Sequence, residues 1–319
     1  MEIIHARNVH NALFLGRQMM EVRAETDTSR FGDVYVAPFP VTTWYSCPTE
    51  RVLFYPERDA NPFFHFMEGL WMISGRNDVE WISHYTKGLE QFSDDGVTFH
   101  GAYGYRWRSH FDFDQLDLII SLLQNNPKER RIVLQMWDPT VDIARSGKDF
   151  PCNTNIYFRV NGEELDMTVC NRSNDMIWGA YGANAVHMSM LQEYVASCLG
   201  RKCGFYYQIS NNFHAYAATW DKSDVKPMEC PYTNGEVNPF PMMNTNRDQW
   251  EQELKMFMTD GPNVMGYKDR FFKRVAVPMA VAWNHWKEKE VDKAIKACSS
   301  IEATDWRKAC IEWLQRRNK

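Results

Sequence analysis

Residues 149–175 read DFPCNTNIYFRVNGEELDMTVCNRSND, and the rest of the chain is interpreted outward from them. At the centre, Asn161-Gly162 separates residues 155–160 from residues 164–169, two runs rich in β-branched, aromatic and aliphatic side chains. An Asn-Gly pair between such runs predicts an antiparallel hairpin with a tight turn. The hairpin is flanked by Pro151-Cys152-Asn153 on one side and by Asn171-Arg172-Ser173-Asn174-Asp175 on the other. A thiolate is a soft nucleophile suited to adding to an activated double bond. A guanidinium fork with a neighbouring hydroxyl suits a phosphate. A nucleophile beside a phosphate clamp points to covalent catalysis on a nucleotide.

The chain has 319 residues, enough for one large domain or two ordinary ones. Its net charge of −5 argues against a nonspecific nucleic-acid coat, yet leaves room for a local basic pocket. The eight cysteines include no CxxC pair, so they are expected to be reduced thiols with no metal bound. Met1-Glu2-Ile3-Ile4-His5 lacks the charged-then-apolar pattern of a secretory leader. No stretch approaches the length of apolar chain that a membrane-spanning helix needs.

Asn61-Pro62 opens a helix on which Phe63, Phe64, Met67, Leu70 and Trp71 recur at helical spacing, and Gly75 ends it. Glu68 lies within this apolar helix, either facing water at a boundary or buried as an acid with a raised pKa. Residues 114–123 predict a second helix, 131–137 a buried strand, 185–199 the main helix stopped at Gly200, and 205–210 another strand. Residues 283–297 and 304–317 predict a pair of charged helices. A catalytic domain over 1–282 with a packed helical extension over 283–319 follows. Strands and helices without regular βαβ alternation argue for an α+β fold with a mostly β core.

Seven short motifs, in order, resemble the thymidylate synthases and the related pyrimidine nucleotide hydroxymethylases. They are Phe39-Pro40-Val41-Thr42-Thr43, Phe66-Met67-Glu68-Gly69-Leu70-Trp71, Ala102-Tyr103-Gly104-Tyr105-Arg106-Trp107-Arg108, Arg130-Arg131-Ile132-Val133, Pro151-Cys152, Asn171-Arg172-Ser173-Asn174-Asp175 and His214-Ala215-Tyr216. The resemblance implies a mixed β-sheet packed with helices and a twofold dimer formed through the sheet. It implies Cys152 as the nucleophile on C6 of a pyrimidine, with Arg172 lowering the thiol pKa. Glu68 would relay protons through water to the base, and Tyr103 would assist loss of the C5 proton. Arg172 and Ser173 would hold the phosphate. Arg130 and Arg131 would reach it from the partner subunit, and Arg30 from a mobile loop, with Arg23 competing for that register. His214 and Tyr216 would bind the sugar. Asp175 and Trp71 would contact the co-substrate 5,10-methylenetetrahydrofolate.

The family divides after a shared intermediate, by hydride transfer to a methyl group or by hydration to a hydroxymethyl group. The chain's apolar run Val275-Ala276-Val277-Pro278-Met279-Ala280 is internal, and residues 313–319 do not resemble the apolar terminal lid that excludes water. That favours hydration. The base falls to Asn184, one residue beyond the family position, or else Ala183 occupies that position. An amide serves uracil in one orientation and cytosine in the other. Asn153 after the cysteine and the string Arg-Ser-Asn-Asp favour cytosine. The expected reaction is hydroxymethylation of dCMP, with no nucleic-acid or membrane partner, in the cytoplasm (a host's, if the source is viral). Thymidylate synthesis from dUMP is the alternative, and a noncatalytic nucleotide-binding or structural relative a third.

Overall fold

The computed structural model describes residues 1–318, so Lys319, the last member of the basic end Arg316-Arg317-Asn318-Lys319, lies outside the described residues. Eight strands form one mixed sheet: β1 (Glu2–Ala6), β2 (Glu25–Ser29), β3 (Gly32–Val36), β4 (Val41–Tyr45), β5 (Val133–Gln135), β6 (Asn153–Asn161), β7 (Glu164–Asp175) and β8 (Lys202–Tyr216). The order is β1-β4-β8-β7-β6-β5, and the β2–β3 ribbon joins the far end of β8 through β3. The β6–β7 hairpin turns at Gly162, whose φ of 60° suits glycine in such a turn. β7 and β8 run parallel and are joined through a helix, as parallel neighbours require.

Among the described residues, ten α-helices pack around the sheet: α1 (Val9–Arg23), α2 (Pro62–Ile73), α3 (Val79–Ser83), α4 (Tyr103–Arg108), α5 (Gln115–Asn125), α6 (Asn184–Cys198), α7 (Arg247–Asp260), α8 (Val277–Lys287), α9 (Val291–Cys298) and α10 (Thr304–Gln315). α6 is buried along most of its length and lies over β7 and β8, where Gln192 Nε2 donates to the carbonyls of Leu165 and Gly204. Period-two alternation puts Tyr206, Gln208 and Ser210 of β8 on this covered face. Phe205, Tyr207 and Ile209 turn to the opposite face and are only half-buried, with Trp44 stacked parallel to Tyr207.

The architecture is α+β, as the motifs imply, although several elements differ in extent from the sequence reading. β5 is three residues rather than the seven of 131–137: Arg131 before it is exposed and paired with Glu129 at 3.0 Å, and after it the N–H groups of Met136 and Trp137 both go to the Thr154 carbonyl, which ends the regular ladder. β7, at 12 residues, is twice as long as predicted and β8, at 15, is longer still by proportion, since polar residues at their ends pair with each other rather than with solvent. The helix expected over 283–297 is two, broken where Lys289 adopts φ 65°. The first third holds α1 and the short α3 beside α2, where the sequence reading finds one clear helix. None of the described helices is long and apolar enough to cross a membrane.

α2 and α4 touch backbone to backbone. A Cβ on Gly104 would fall 1.9 Å from the Met72 carbonyl oxygen, so only glycine permits the approach. Arg106, fully buried on α4, donates to the Met136 carbonyl at 2.7 Å and to both oxygens of Asp142 at 2.6 and 2.9 Å. These contacts fix α4 against the loop that leads into Cys152.

Candidate active site

Cys152 sits just before β6, where a register shift between Asn153 and Asn155 interrupts the ladder to β7. Such bulges re-aim side chains at functional sites. The Tyr103 hydroxyl, from the first turn of α4, accepts from the backbone N–H of Cys152 at 3.2 Å and of Asn153 at 3.3 Å. Its own hydrogen stays free to donate. Burial pushes the phenol well above its ordinary value, and the nearby Cys152 thiol adds to this, so Tyr103 is a neutral donor.

Arg172 lies across the hairpin mouth. It donates to the Pro151 carbonyl at 3.0 Å and reaches the Cys152 sulfur at 3.9 Å. Arg172 does lower the thiol pKa, as expected, but it is not the largest influence. Burial raises the Cys152 thiol above its usual value and outweighs Arg172, with Asp149 also raising it and Arg30 lowering it. The free protein therefore carries a neutral thiol near pH 7. Ser173 is the next residue on β7, half-buried and in register with Asn212. Arg30 lies in the β2–β3 turn and donates to the Gly147 and Lys148 carbonyls at 3.5 and 3.3 Å, just upstream of the nucleophile. Arg23 ends α1 instead. Arg130 and Arg131 are both exposed; the Arg131 guanidinium pairs with Glu129, whereas Arg130 meets Glu129 only through its backbone N–H, and neither side chain contacts Cys152 of its own chain.

Glu68, Trp71, Phe99, Tyr103, Asp149 and Phe150 line one cavity of about 250 Å³. The Glu68 side chain is 13% exposed, and burial pushes its carboxyl up to about 8. Its Oε2 has no hydrogen-bond partner and lies 3.2 Å from Nε2 of His187 on α6. Burial holds His187 down at about 3, so this is a contact between neutral groups and not an ion pair. Trp71 Nε1 is also buried without a partner. The sequence reading of Glu68 as a buried acid thus describes its environment, while His187 and Asp149 enter the site unanticipated.

Asp175 and His214 are neighbours in the β7–β8 ladder. Asp175 Oδ1 accepts from the N–H groups of Ile177 and Trp178 at 2.8 and 2.6 Å, and its Oδ2 is buried without a partner. Burial raises the Asp175 carboxyl and lowers the His214 imidazole. Tyr216 stands edge-on to His214, with ring centroids 5.3 Å apart. Residues Met176–Ala183 follow as a wide π-helical turn that leaves helical geometry at Tyr181 and Gly182. A π turn absorbs an extra residue, and it delivers Asn184, rather than Ala183, against Asn153. Asn153 Nδ2 donates to Asn184 Oδ1 at 3.2 Å, and the Asn153 Oδ1 is buried without a partner.

Among the described residues, the one cluster with metal-ligand spacing is His285, Glu288 and Glu290, at the α8–α9 turn. His285 Nδ1 is already 2.8 Å from Glu290 Oε2.

A profile of the thymidylate synthase family matches residues 57–281. A deoxyuridylate hydroxymethyltransferase of Pseudomonas phage M6 is 48% identical over 333 aligned positions, which span 99% of this chain and 95% of that protein. A deoxyuridylate hydroxymethyltransferase of Bacillus phage SP01 is 34% identical, over 69% of this chain and 61% of that protein. One of Delftia phage PhiW-14 is 30% identical, over 64% of this chain and 60% of that protein.

Proposed function

The chain belongs to the thymidylate synthase family, and on that premise we propose that it converts dUMP to 5-hydroxymethyl-dUMP with 5,10-methylenetetrahydrofolate and water. It is a one-carbon transferase. The observation that carries the choice of base and outcome is the 48% identity, across nearly the whole chain, with a protein named deoxyuridylate hydroxymethyltransferase. The cytosine preference drawn from Asn153 and Arg-Ser-Asn-Asp is set aside for uracil on the same ground. Those residues bear on the surroundings of Asn184, and its amide serves either base.

In this reading Cys152 adds to C6 of uracil, and electron density moves to C5, which becomes the nucleophile. Because the resting thiol is neutral, its proton passes to water as the C6–S bond forms, and Arg172 beside the sulfur favours the anion. Glu68, protonated near pH 7, donates toward the O4 side of the ring, through water, as charge develops there. Tyr103 is the group nearest Cys152 with a free hydroxyl hydrogen, and it orders the water that receives the C5 proton. Arg172, Ser173 and Arg30 hold the phosphate, and His214 and Tyr216 the sugar. Asn184 reads the base edge.

The folate fits the residues present. Trp71, Phe99 and the apolar wall of the cavity offer a face for a flat ring, and Asp175, which does not line that cavity, would have to be reached beyond it for its unpaired Oδ2 to accept from a ring N–H. Bound there, it supplies a one-carbon unit at the oxidation level of formaldehyde. After the carbon is transferred to C5, loss of the C5 proton and departure of tetrahydrofolate would leave an exocyclic methylene; water adds to it to give the hydroxymethyl group, and the C6–S bond breaks to free Cys152. Arg130 and Arg131 act on the partner's phosphate in a twofold dimer through the uncovered sheet face, which carries Trp44, Tyr157, Phe205 and Tyr207.

The test is incubation with 5,10-methylenetetrahydrofolate and either dUMP or dCMP, followed by mass analysis. A hydroxymethyl product from dUMP is expected. A methyl product with a rise in dihydrofolate absorbance would make the protein a thymidylate synthase, and a hydroxymethyl product from dCMP alone would overturn the base assignment.

A further inference from the structure

Four side-chain amides from four elements form one continuous line away from the nucleophile. Asn153 Nδ2 on β6 donates to Asn184 Oδ1 on α6 at 3.2 Å, and Asn184 Nδ2 donates to Asn174 Oδ1 on β7 at 3.0 Å. Asn174 Nδ2 donates to Gln208 Oε1 on β8 at 2.5 Å, and Gln208 Nε2 donates to the Ala180 backbone carbonyl at 3.2 Å. All four side chains are buried, so none can exchange these bonds for water. Gly179 makes room for the line: a Cβ there would fall 2.6 Å from Asn174 Oδ1.

The line has a direction, set at its far end. A backbone carbonyl only accepts, so Gln208 must present its nitrogen to Ala180 and its oxygen to Asn174. Asn174 must then give its nitrogen to Gln208 and its oxygen to Asn184, and Asn184 must turn its oxygen to Asn153. Rotating Asn184 alone would oppose nitrogen to nitrogen on one side and oxygen to oxygen on the other. Rotating the three asparagines together moves the mismatch to Gln208, which cannot turn. The Ser210 hydroxyl, 3.0 Å from Asn174 Nδ2, accepts or donates equally and imposes no direction.

This matters for the base. Uracil needs an acceptor for N3–H and a donor to O4, and cytosine needs the reverse at the same two positions. Asn184 retains one amide hydrogen and one lone pair outside the line, so its orientation selects between the bases. We propose that Gln208, anchored on the Ala180 carbonyl, is a specificity-determining positioning residue that fixes through Asn174 which end of the Asn184 amide donates, and so which pyrimidine the site accepts. This rests on the reading of Asn184 as the residue that contacts the base.

The experiment measures kcat/KM for dUMP and dCMP with the full-length protein and two variants. Gln208→Met keeps the bulk and removes the anchor. Asn174→Ser replaces the transmitting amide with a hydroxyl indifferent to direction, and gives a second route should the first variant not fold. Each is expected to lower the dUMP-to-dCMP ratio by about tenfold, the worth of one hydrogen bond to the base, with dCMP use retained or gained. A purely structural role would lower both nucleotides in step. An unchanged ratio in a folded variant overturns the proposal while leaving the proposed reaction standing. Failure of the unsubstituted protein to hydroxymethylate either nucleotide removes the reaction first, and this proposal with it.

Discussion

Replacing Glu68 with glutamine is expected to make the protein more stable and nearly inactive, with a stabilisation that depends on pH. Burial pushes the Glu68 carboxyl up to about 8, whereas in the unfolded chain a glutamate ionises near ~4.3. Below the lower value both states hold the proton and the folded protein bears no penalty. Between the two values the unfolded chain loses its proton while the folded protein keeps it, so folding is progressively disfavoured as pH rises. Above about 8 both states are ionised and the penalty is constant. At ~1.4 kcal/mol per tenfold, it reaches roughly 3–4 kcal/mol at pH 7 and about 5 kcal/mol at its ceiling. Glutamine has the shape of the protonated acid and no proton to lose, so Glu68→Gln recovers that free energy. Urea denaturation of the two proteins should differ by about 1 kcal/mol near pH 5 and by roughly 3–4 kcal/mol near pH 7. Turnover should fall by at least about a hundredfold, the usual worth of a positioned proton donor. A stability difference independent of pH would mean that Glu68 titrates like an exposed carboxylate, and the proton-holding role assigned to it would go with that result.

Cys152→Ala should abolish turnover while nucleotide binding, measured by calorimetry, survives. In the free protein, alkylation of Cys152 by iodoacetamide should keep rising with pH to beyond about 8.5, the ordinary thiol value; a plateau below that would contradict burial as the dominant influence. Mixing inactive Cys152→Ala subunits with an Arg130→Ala/Arg131→Ala double variant should restore about a quarter of normal activity through hybrid dimers, and no recovery would refute arginines shared between subunits. His187, held near 3 by burial, lets the unfolded chain gain a proton first as pH falls below ~6.5. His187→Gln should therefore lessen the loss of stability between about pH 6 and pH 4, and equal acid sensitivity in both proteins would refute the assignment.

The hairpin turn at Asn161-Gly162 and the start of α2 at Pro62 were legible because each depends on local chemistry or helical spacing, whereas that spacing alone left Glu68 between a solvent-facing and a buried acid. What escaped the sequence depends on contacts between distant segments. Gln208 reads as an ordinary polar strand residue until β8 is set parallel to β7 and Asn174 comes beside it. His187 lies on an almost wholly apolar helix face, and only the packing of α6 on α2 turns it toward Glu68. The net direction of the Cys152 shift was out of reach for the same reason. Arg172 is visible as a neighbour in the motif, whereas the burial that outweighs it comes from the whole fold. The π turn at Met176–Ala183 shows how an apparent slip in the motif still brings an asparagine to Asn153.

The glycine seam between α2 and α4 has a mechanical consequence. With Met72 and Gly104 in backbone contact, Glu68 and Tyr103 travel as one stiff unit, while Cys152 belongs to the sheet. The two parts are pinned at the Tyr103 hydroxyl, which grips the Cys152 and Asn153 amides. Acid, phenol and sulfur are thus held at a preset spacing, since Arg106 on the same α4 also grips the segment that leads into Cys152. A rigid ligand cut to span Glu68 and Cys152 would lose little freedom on binding, whereas a flexible one would have to surrender its own to match that spacing.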